Sequence, residues 1–281
     1  MKVGLVLEGG GMRAIFTAGV LDVFMQESIQ VDGIVAVSAG VLFGVNLPSQ
    51  QPGRVLRYNK AYLNDPRYMG WKSLLTTGNV VNKDFAFYEL PFSLDPFDNQ
   101  AFKQAQTDFY ATLTNVETGQ AEYVKLTDPF AQMEVLRATS AMPLVSKMVE
   151  IEGKRYLDGG IADSIPLQKA LDLGFDKIIV VLTQPLDYRK SPANPFLFKL
   201  FYRQYPHLLE ALLQRHQHYN RSLEQIIDLQ AKQEIFVIRP SQMLPISRIE
   251  KDWSRVQAMY DLGVRDTEQA LAGLRAYLQA G

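Results

Sequence analysis

Cysteine is missing altogether from the 281 residues, which excludes disulfides, thiolate metal sites and a cysteine nucleophile together. A small extracellular scaffold stapled by disulfides goes with them. Histidine is nearly as scarce: His207, His216 and His218 all fall in the C-terminal part, so the usual imidazole base is hard to find. Excess charge is lacking too, with Lys+Arg 29 against Asp+Glu 30 and a net charge of −1. That balance gives none of the electrostatic footprint that a nucleic-acid partner needs. No apolar run approaches the ~18 residues of a spanning helix. The run Met1 to Leu7 is broken by Glu8 and three glycines and is too short for a signal peptide. A soluble, cytoplasmic protein is the expectation. No acidic or histidine cluster has metal-ligand spacing, so neither metal nor cofactor is expected.

What is present is a large apolar fraction, 47%, enough to bury the core of one big α/β domain or two ordinary ones. The expectation is a single domain over 1–281, with a motif-bearing α/β core at 1–183 and a mostly helical part at 184–281 packing back on it. Nothing in the sequence sets an oligomeric state.

The chain is organised around Ala36-Val37-Ser38-Ala39-Gly40, which ends the apolar run from Gly33 and opens a run of small residues. A strand stopping at Ser38 and a helix starting after it would present the hydroxyl on a sharp corner, the nucleophile elbow. Ordinary N-capping of the following helix is the competing reading.

Upstream, Val3 to Leu7 reads as a central parallel strand running into Gly9-Gly10-Gly11, and Arg13 to Glu27 as a helix. This βαβ unit delivers the glycine loop and Ser38 to the carboxyl edge of neighbouring strands, where ligands of open α/β sheets bind. As a dinucleotide fingerprint the loop lacks the ribose carboxylate at the end of the second strand. As a phosphate loop it lacks Gly-Lys-Ser/Thr. As an oxyanion hole it works, since consecutive glycine N–H groups can converge on developing negative charge, with Arg13 beside them.

Downstream, 53–63 reads as a helix and the tract Tyr68 to Pro96 as loops over the sheet. Residues 108–116 and 121–126 form a hairpin, and a helix starts at Asp128-Pro129 and runs toward Pro143. A second hairpin, around Gly153, ends at Asp158-Gly159-Gly160. There a carboxylate closes an apolar strand before two glycines, a turn aspartate or a functional one. Then follow a helix at 165–173, a central strand at 177–183, long helical patterns from His207 to Gln230, a strand at 234–238, and helices from Trp253 and from Val264. Phe196 to Tyr202 is the densest apolar stretch outside the expected strands, flanked by Lys199, Arg203, Arg189 and Lys190. Aromatics packed on the sheet are the default there. A segment meeting anionic lipid is the alternative.

Four ordered blocks, Glu8-Gly9-Gly10-Gly11-Met12-Arg13, Ala36 to Gly40, Ala138-Thr139-Ser140-Ala141-Met142-Pro143 and Tyr156-Leu157-Asp158-Gly159-Gly160, resemble the patatin-like phospholipases. The resemblance covers the first two-thirds of the chain. It implies a three-layer α/β/α fold with a mainly parallel sheet, a Ser-Asp dyad and hydrolysis of lipid acyl esters. Carried over by position, it makes Ser38 the nucleophile, Asp158 the base, and Gly9, Gly10, Gly11 and Arg13 the oxyanion site. The family's glycines are replaced by Ala36 in the serine block and Ala14 after the first block.

A free aspartate, with a pKa of ~3.9, is a feeble base, so burial would have to raise Asp158, with Arg13 as the offsetting charge. A histidine triad is disfavoured because His216 and His218 sit among Gln214, Arg215, Gln217 and Tyr219, a solvated face by composition. The implied partner is a lipid or acyl-ester substrate, with transient contact to a membrane surface. A non-catalytic lipid- or fatty-acid-binding protein and a nucleotide-binding module are the competing classes.

Overall fold

The computed structural model describes residues 1–280. Its first half contains β1 (Val3–Leu7), α1 (Ile15–Gln26), β2 (Gly33–Val37), α2 (Ala39–Gly44), α3 (Arg54–Tyr62), α4 (Trp71–Thr77), α5 (Asn99–Gln104), β3 (Asp108–Asn115) and β4 (Ala121–Leu126). Its second half contains α6 (Met133–Thr139), β5 (Val149–Ile151), β6 (Lys154–Asp158), α7 (Leu167–Asp172), β7 (Lys177–Val181), α8 (Pro195–Tyr202), α9 (Pro206–Ala231), β8 (Ile235–Ile238) and α10 (Trp253–Gln279).

The apolar runs behave as strands buried on both faces. Leu5 and Leu7 of β1 enter one core while Val6 enters another; Ile34 and Ala36 of β2 join the first and Val35 the second. Helices α1, α2, α6 and α10 contribute to the first core, and α7 and α9 cover the second with Leu167, Ala170, Tyr219, Leu223 and Ile226. The fold is therefore three-layered, α/β/α.

Strands β3, β2, β1, β7 and β8 lie side by side and parallel. β4 runs antiparallel along one edge of β3. The other edge is shared: β2 pairs up to Thr112, and β6, from the β5–β6 hairpin, pairs antiparallel from Leu113 onward.

Several boundaries depart from the sequence expectation for physical reasons. The helices expected from Trp253 and from Val264 are one continuous α10. Gly263 does not break it but lets α1 come close, since a methyl there would lie 2.2 Å from the Phe16 carbonyl oxygen. The tract 68–96, expected as loops, holds α4 and a π-helical segment, Asp84–Leu94, that buries Phe85, Phe87 and Leu90. Wider-than-α spacing hid that buried face from a 3.6-residue search. α6 starts only at Met133, because Asp128 and Gln132 are spent on turn contacts to Ala131, Thr127 and Lys125. In α8 the default of packed aromatics fails for two of its four aromatic side chains, and two leucines join them. Phe196 (68% exposed), Leu197, Leu200 and Phe201 (62%) face outward, and only Phe198 and Tyr202 pack inward.

Candidate active site

Ser38 follows the last residue of β2 with φ 56° and ψ −128°. A non-glycine residue there carries strain of about 1–3 kcal/mol, held in place by its surroundings. The turn is tight because Gly40 has no side chain: a methyl would lie 2.8 Å from the carbonyl oxygens of Leu7 and Glu8. Ser38 occupies the N-cap position of α2, yet its hydroxyl makes no capping bond. It donates instead to Asp158 Oδ2 at 2.6 Å. The Ser38 amide donates to Thr139 Oγ1 at 2.9 Å, and the Thr139 hydroxyl donates to the Thr112 carbonyl at 2.7 Å. Thr139 thus pins the strained corner to β3.

Asp158 closes β6, and Gly159 after it approaches β3 so closely that a methyl would lie 2.0 Å from the Thr112 oxygen. Its second carboxylate oxygen, Oδ1, accepts from the Gly160 amide at 2.8 Å. It is therefore both a turn aspartate and the serine's partner. Burial pushes its carboxyl up from the ordinary value; Arg215, the Ser38 hydroxyl, the Gly160 amide and Arg248 oppose the rise. The offsetting charge is thus Arg215 and not Arg13, whose Nε turns to the Ile246 carbonyl at 3.4 Å.

In the glycine loop, Met12 N donates to the Arg248 carbonyl at 3.1 Å and Arg13 N to the Gly10 carbonyl at 3.3 Å. Among the described residues the N–H groups of Gly9, Gly10 and Gly11 have no protein acceptor. Gly9 packs directly on the elbow, since a methyl there would lie 3.0 Å from Ser38 Cβ. Gly11 takes φ +58° and passes under Arg248.

Ser38 stands where two cavities meet. One, about 150 Å³, is apolar and includes Leu42, Phe87, Phe97, Phe130 and Met133. The other, about 320 Å³, has apolar walls too but gathers the charged groups of the site, Glu8, Asp158, Arg13, Lys190, Arg215 and Arg248, around the glycine loop, and is called the polar cavity for them. Both include Gly11, Ser38, Met142, Arg248 and Ile249. In the polar one, buried Glu8 accepts from the Thr183 amide at 2.6 Å and from the Tyr219 hydroxyl at 2.8 Å, binding the first strand to β7 and α9. Burial raises the Glu8 carboxyl.

The face of α9 around Arg215 is not the solvated one its composition suggested, because Tyr219 is buried and Arg215 and His216 line the polar cavity. His216 Nδ1 lies 3.0 Å from the Leu213 carbonyl, and His218 Nε2 lies 3.4 Å from Gln214 Oε1. Among the described residues no histidine hydrogen-bonds to Ser38 or Asp158, and none belongs to a metal-binding group of His, Asp and Glu. Sequence reasoning assigned no role to Thr139, Glu8, Arg215 or Arg248, and took Lys190 only as a basic flank of a lipid-facing segment, whereas it lines this cavity. Only Thr139 and Glu8 stood inside blocks with a legible pattern.

A strained serine turn between β2 and α2, hydrogen-bonded to a carboxylate at the end of β6, thus sits at one edge of a three-layer α/β/α fold. Residues 5–171, more than half of the chain, match the family model Patatin-like phospholipase, and residues 205–279 match a domain of unknown function, DUF6363. The chain belongs to the patatin-like phospholipase family. It is 30% identical over 254 residues to the uncharacterized protein YjjU of Escherichia coli K12, a match covering 86% of this chain and 70% of that protein. It is 27% identical over 198 residues to the lysophospholipase NTE1 of Chaetomium globosum and 28% over 197 to that of Aspergillus niger. Those matches cover 66% of this chain and only 12% of each fungal protein. The solved structure of VipD from Legionella pneumophila aligns over 97% of this chain and 67% of its own, with 11% identity and a TM-score of 0.46, too low a likeness to argue from.

Proposed function

We propose that this chain is a serine lipid acyl hydrolase, cleaving carboxylic esters of lipids or phospholipids through a Ser38-Asp158 dyad. The observation that carries this reading is the 2.6 Å hydrogen bond from Ser38 Oγ to the buried Asp158 Oδ2, at the mouth of an apolar cavity. Asp158 takes the serine proton as Oγ attacks the ester carbonyl. In this reading the free N–H groups of Gly9, Gly10 and Gly11 stabilise the oxyanion, with Arg13 adding positive charge nearby. The proton passes to the leaving alcohol, and water activated by Asp158 then releases the acyl group from Ser38. Family membership and the fungal lysophospholipases support lipid esters as the substrate class.

We read the whole chain as one domain, because β8 extends the central sheet beside β7 and Gly263 of α10 packs against α1. Transient lipid contact fits two exposed apolar helices near the cavities. α8 carries Phe196, Leu197, Leu200 and Phe201 beside Lys199, and its Phe198 lines the polar cavity. α4 carries Trp71 and Leu75 between Met69 and Val80, which line the apolar one. Among the described residues no helix is long and apolar enough to cross a membrane.

The test is hydrolysis of a short-chain p-nitrophenyl ester by wild type, Ser38→Ala and Asp158→Asn. Both variants should fold and lose turnover. Wild-type turnover in either removes the dyad, and no turnover by wild type leaves the lipid-binding alternative in its place.

A further inference from the structure

Four cations from four parts of the chain converge on the polar cavity. They are Arg13 after the glycine loop, Lys190 beyond β7, Arg215 on α9 and Arg248 in the segment leading to α10. None forms an ion pair with a carboxylate among the described residues. Arg215 reaches only Ser164 Oγ at 3.4 Å, Arg13 only the Ile246 carbonyl, and Lys190 Nζ lies over the Tyr219 ring at 4.1 Å. The two carboxylates present are already engaged: Glu8 by Thr183 and Tyr219, Asp158 by Ser38 and Gly160. Burial and the repulsion of Arg215, only partly offset by Glu8, bring Lys190 down to about 7, with Arg248 and Arg13 adding to the repulsion. Arg13, Lys190 and Arg215 are half-buried and Arg248 is exposed at the rim. Unpaired cations gathered around one space, three of them partly desolvated, are unfavourable until an anion joins them. Lysine and arginine donors on several sides match the several oxygens of a phosphate.

We propose that the polar cavity is a phosphate subsite, in which Lys190, Arg215 and Arg248 hold the phosphate of a substrate's head group while the acyl chain occupies the apolar cavity on the other side of Ser38. This rests on the acyl-hydrolase reading, and it narrows the substrate to acyl esters that carry a phosphate on the alcohol side. It also gives work to the stretch 205–279 matched by the domain of unknown function, since that stretch supplies two of the three ligands, Arg215 and Arg248. Arg215 lies close enough to lower the Asp158 carboxyl, so the phosphate and the dyad share one electrostatic field.

The test uses ethers that cannot be cleaved: 1-O-octylglycerol 3-phosphate, neutral 1-O-octylglycerol, and inorganic phosphate, titrated calorimetrically into the full chain. The ether phosphate should bind at least about tenfold more tightly than either of the others. That preference should shrink between about 0.05 M and about 0.5 M NaCl, a readout that needs no variant. In the double variant Lys190→Gln/Arg248→Gln the two ethers should bind alike, while Lys190→Arg keeps the preference. Equal binding of the two ethers by wild type overturns the subsite, as does a preference that survives in the double variant or is insensitive to salt. Inorganic phosphate binding as tightly as the ether phosphate overturns the lipid source. Ester cleavage without phosphate preference ends the subsite and leaves the hydrolase. Phosphate preference without any ester cleavage ends the hydrolase reading and, with it, the head-group role.

Discussion

Val37 and Asp158 occupy successive places on the same edge of β3: Val37 pairs with Thr112 and Asp158 with Leu113. β2 and β6 run in opposite senses and meet end to end there. Ser38, one step beyond Val37, therefore reaches Asp158 across 120 residues of sequence with no flexible loop on either side. A pair held by strand ends is preorganised, and on the proposed mechanism it does not have to be assembled by substrate.

On the proposed mechanism Asp158 is a buried base, which makes the acid limb of the pH profile diagnostic. Burial raises the Asp158 carboxyl, so kcat/KM for a neutral ester should fall as pH drops through a value above 3.8. The native state then keeps a proton that the unfolded chain has released between 3.8 and that raised value, so this group's contribution to stability declines as pH rises through the same window. Rate and melting temperature measured across that range check both signs. An acid limb at or below 3.8 would mean that Asp158 is not the titrating base.

The glycine loop should act on the transition state. A methyl added at Gly10 would lie 2.9 Å from Thr183 Oγ1 and must tilt the loop. Losing one oxyanion donor typically costs about 10²–10³ in rate. Gly10→Ala should therefore lower kcat far more than it raises KM, and a loss confined to KM would make the loop a ground-state binding element.

On α8, Phe196 and Phe201 can be changed without opening the core. Phe196→Asp/Phe201→Asp should keep near-native thermal stability and soluble-ester activity yet lose binding to anionic vesicles in a sedimentation assay. Phe198 is unsuitable for this purpose because it packs toward Tyr202. Unchanged vesicle binding would move lipid contact elsewhere.

Much of the site was legible because each block has a local reason for its residues. Glycines sit where the backbone closes on a neighbour, small residues follow the serine, and a carboxylate stands at a strand end. The meeting of β2 and β6 on one edge of β3 was not legible, since register along a shared edge is set by tertiary packing and no local pattern encodes it. The cationic cavity was invisible for a similar reason. Arg215 read as part of a solvated face, and only the inward turn of Tyr219 one helical turn later brings it to the site. The outward aromatics of α8 also ran against the burial preference of phenylalanine.

Gly263 offers a check on the fold itself. In an exposed helix interior Gly→Ala stabilises by about 1 kcal/mol. In α10 the methyl would meet the Phe16 carbonyl at 2.2 Å, so Gly263→Ala should instead destabilise by about 1–3 kcal/mol in a denaturant melt. An increase in stability would contradict the close crossing of α1 and α10.

The central claim is that Ser38 is a nucleophile activated by Asp158, and intact-mass spectrometry after exposure to a fluorophosphonate tests it most directly. One adduct per chain, mapped to Ser38, absent from Ser38→Ala and formed far more slowly on Asp158→Asn is the predicted result. No adduct on wild type, an adduct at another residue, or labelling of Asp158→Asn at the wild-type rate would contradict it.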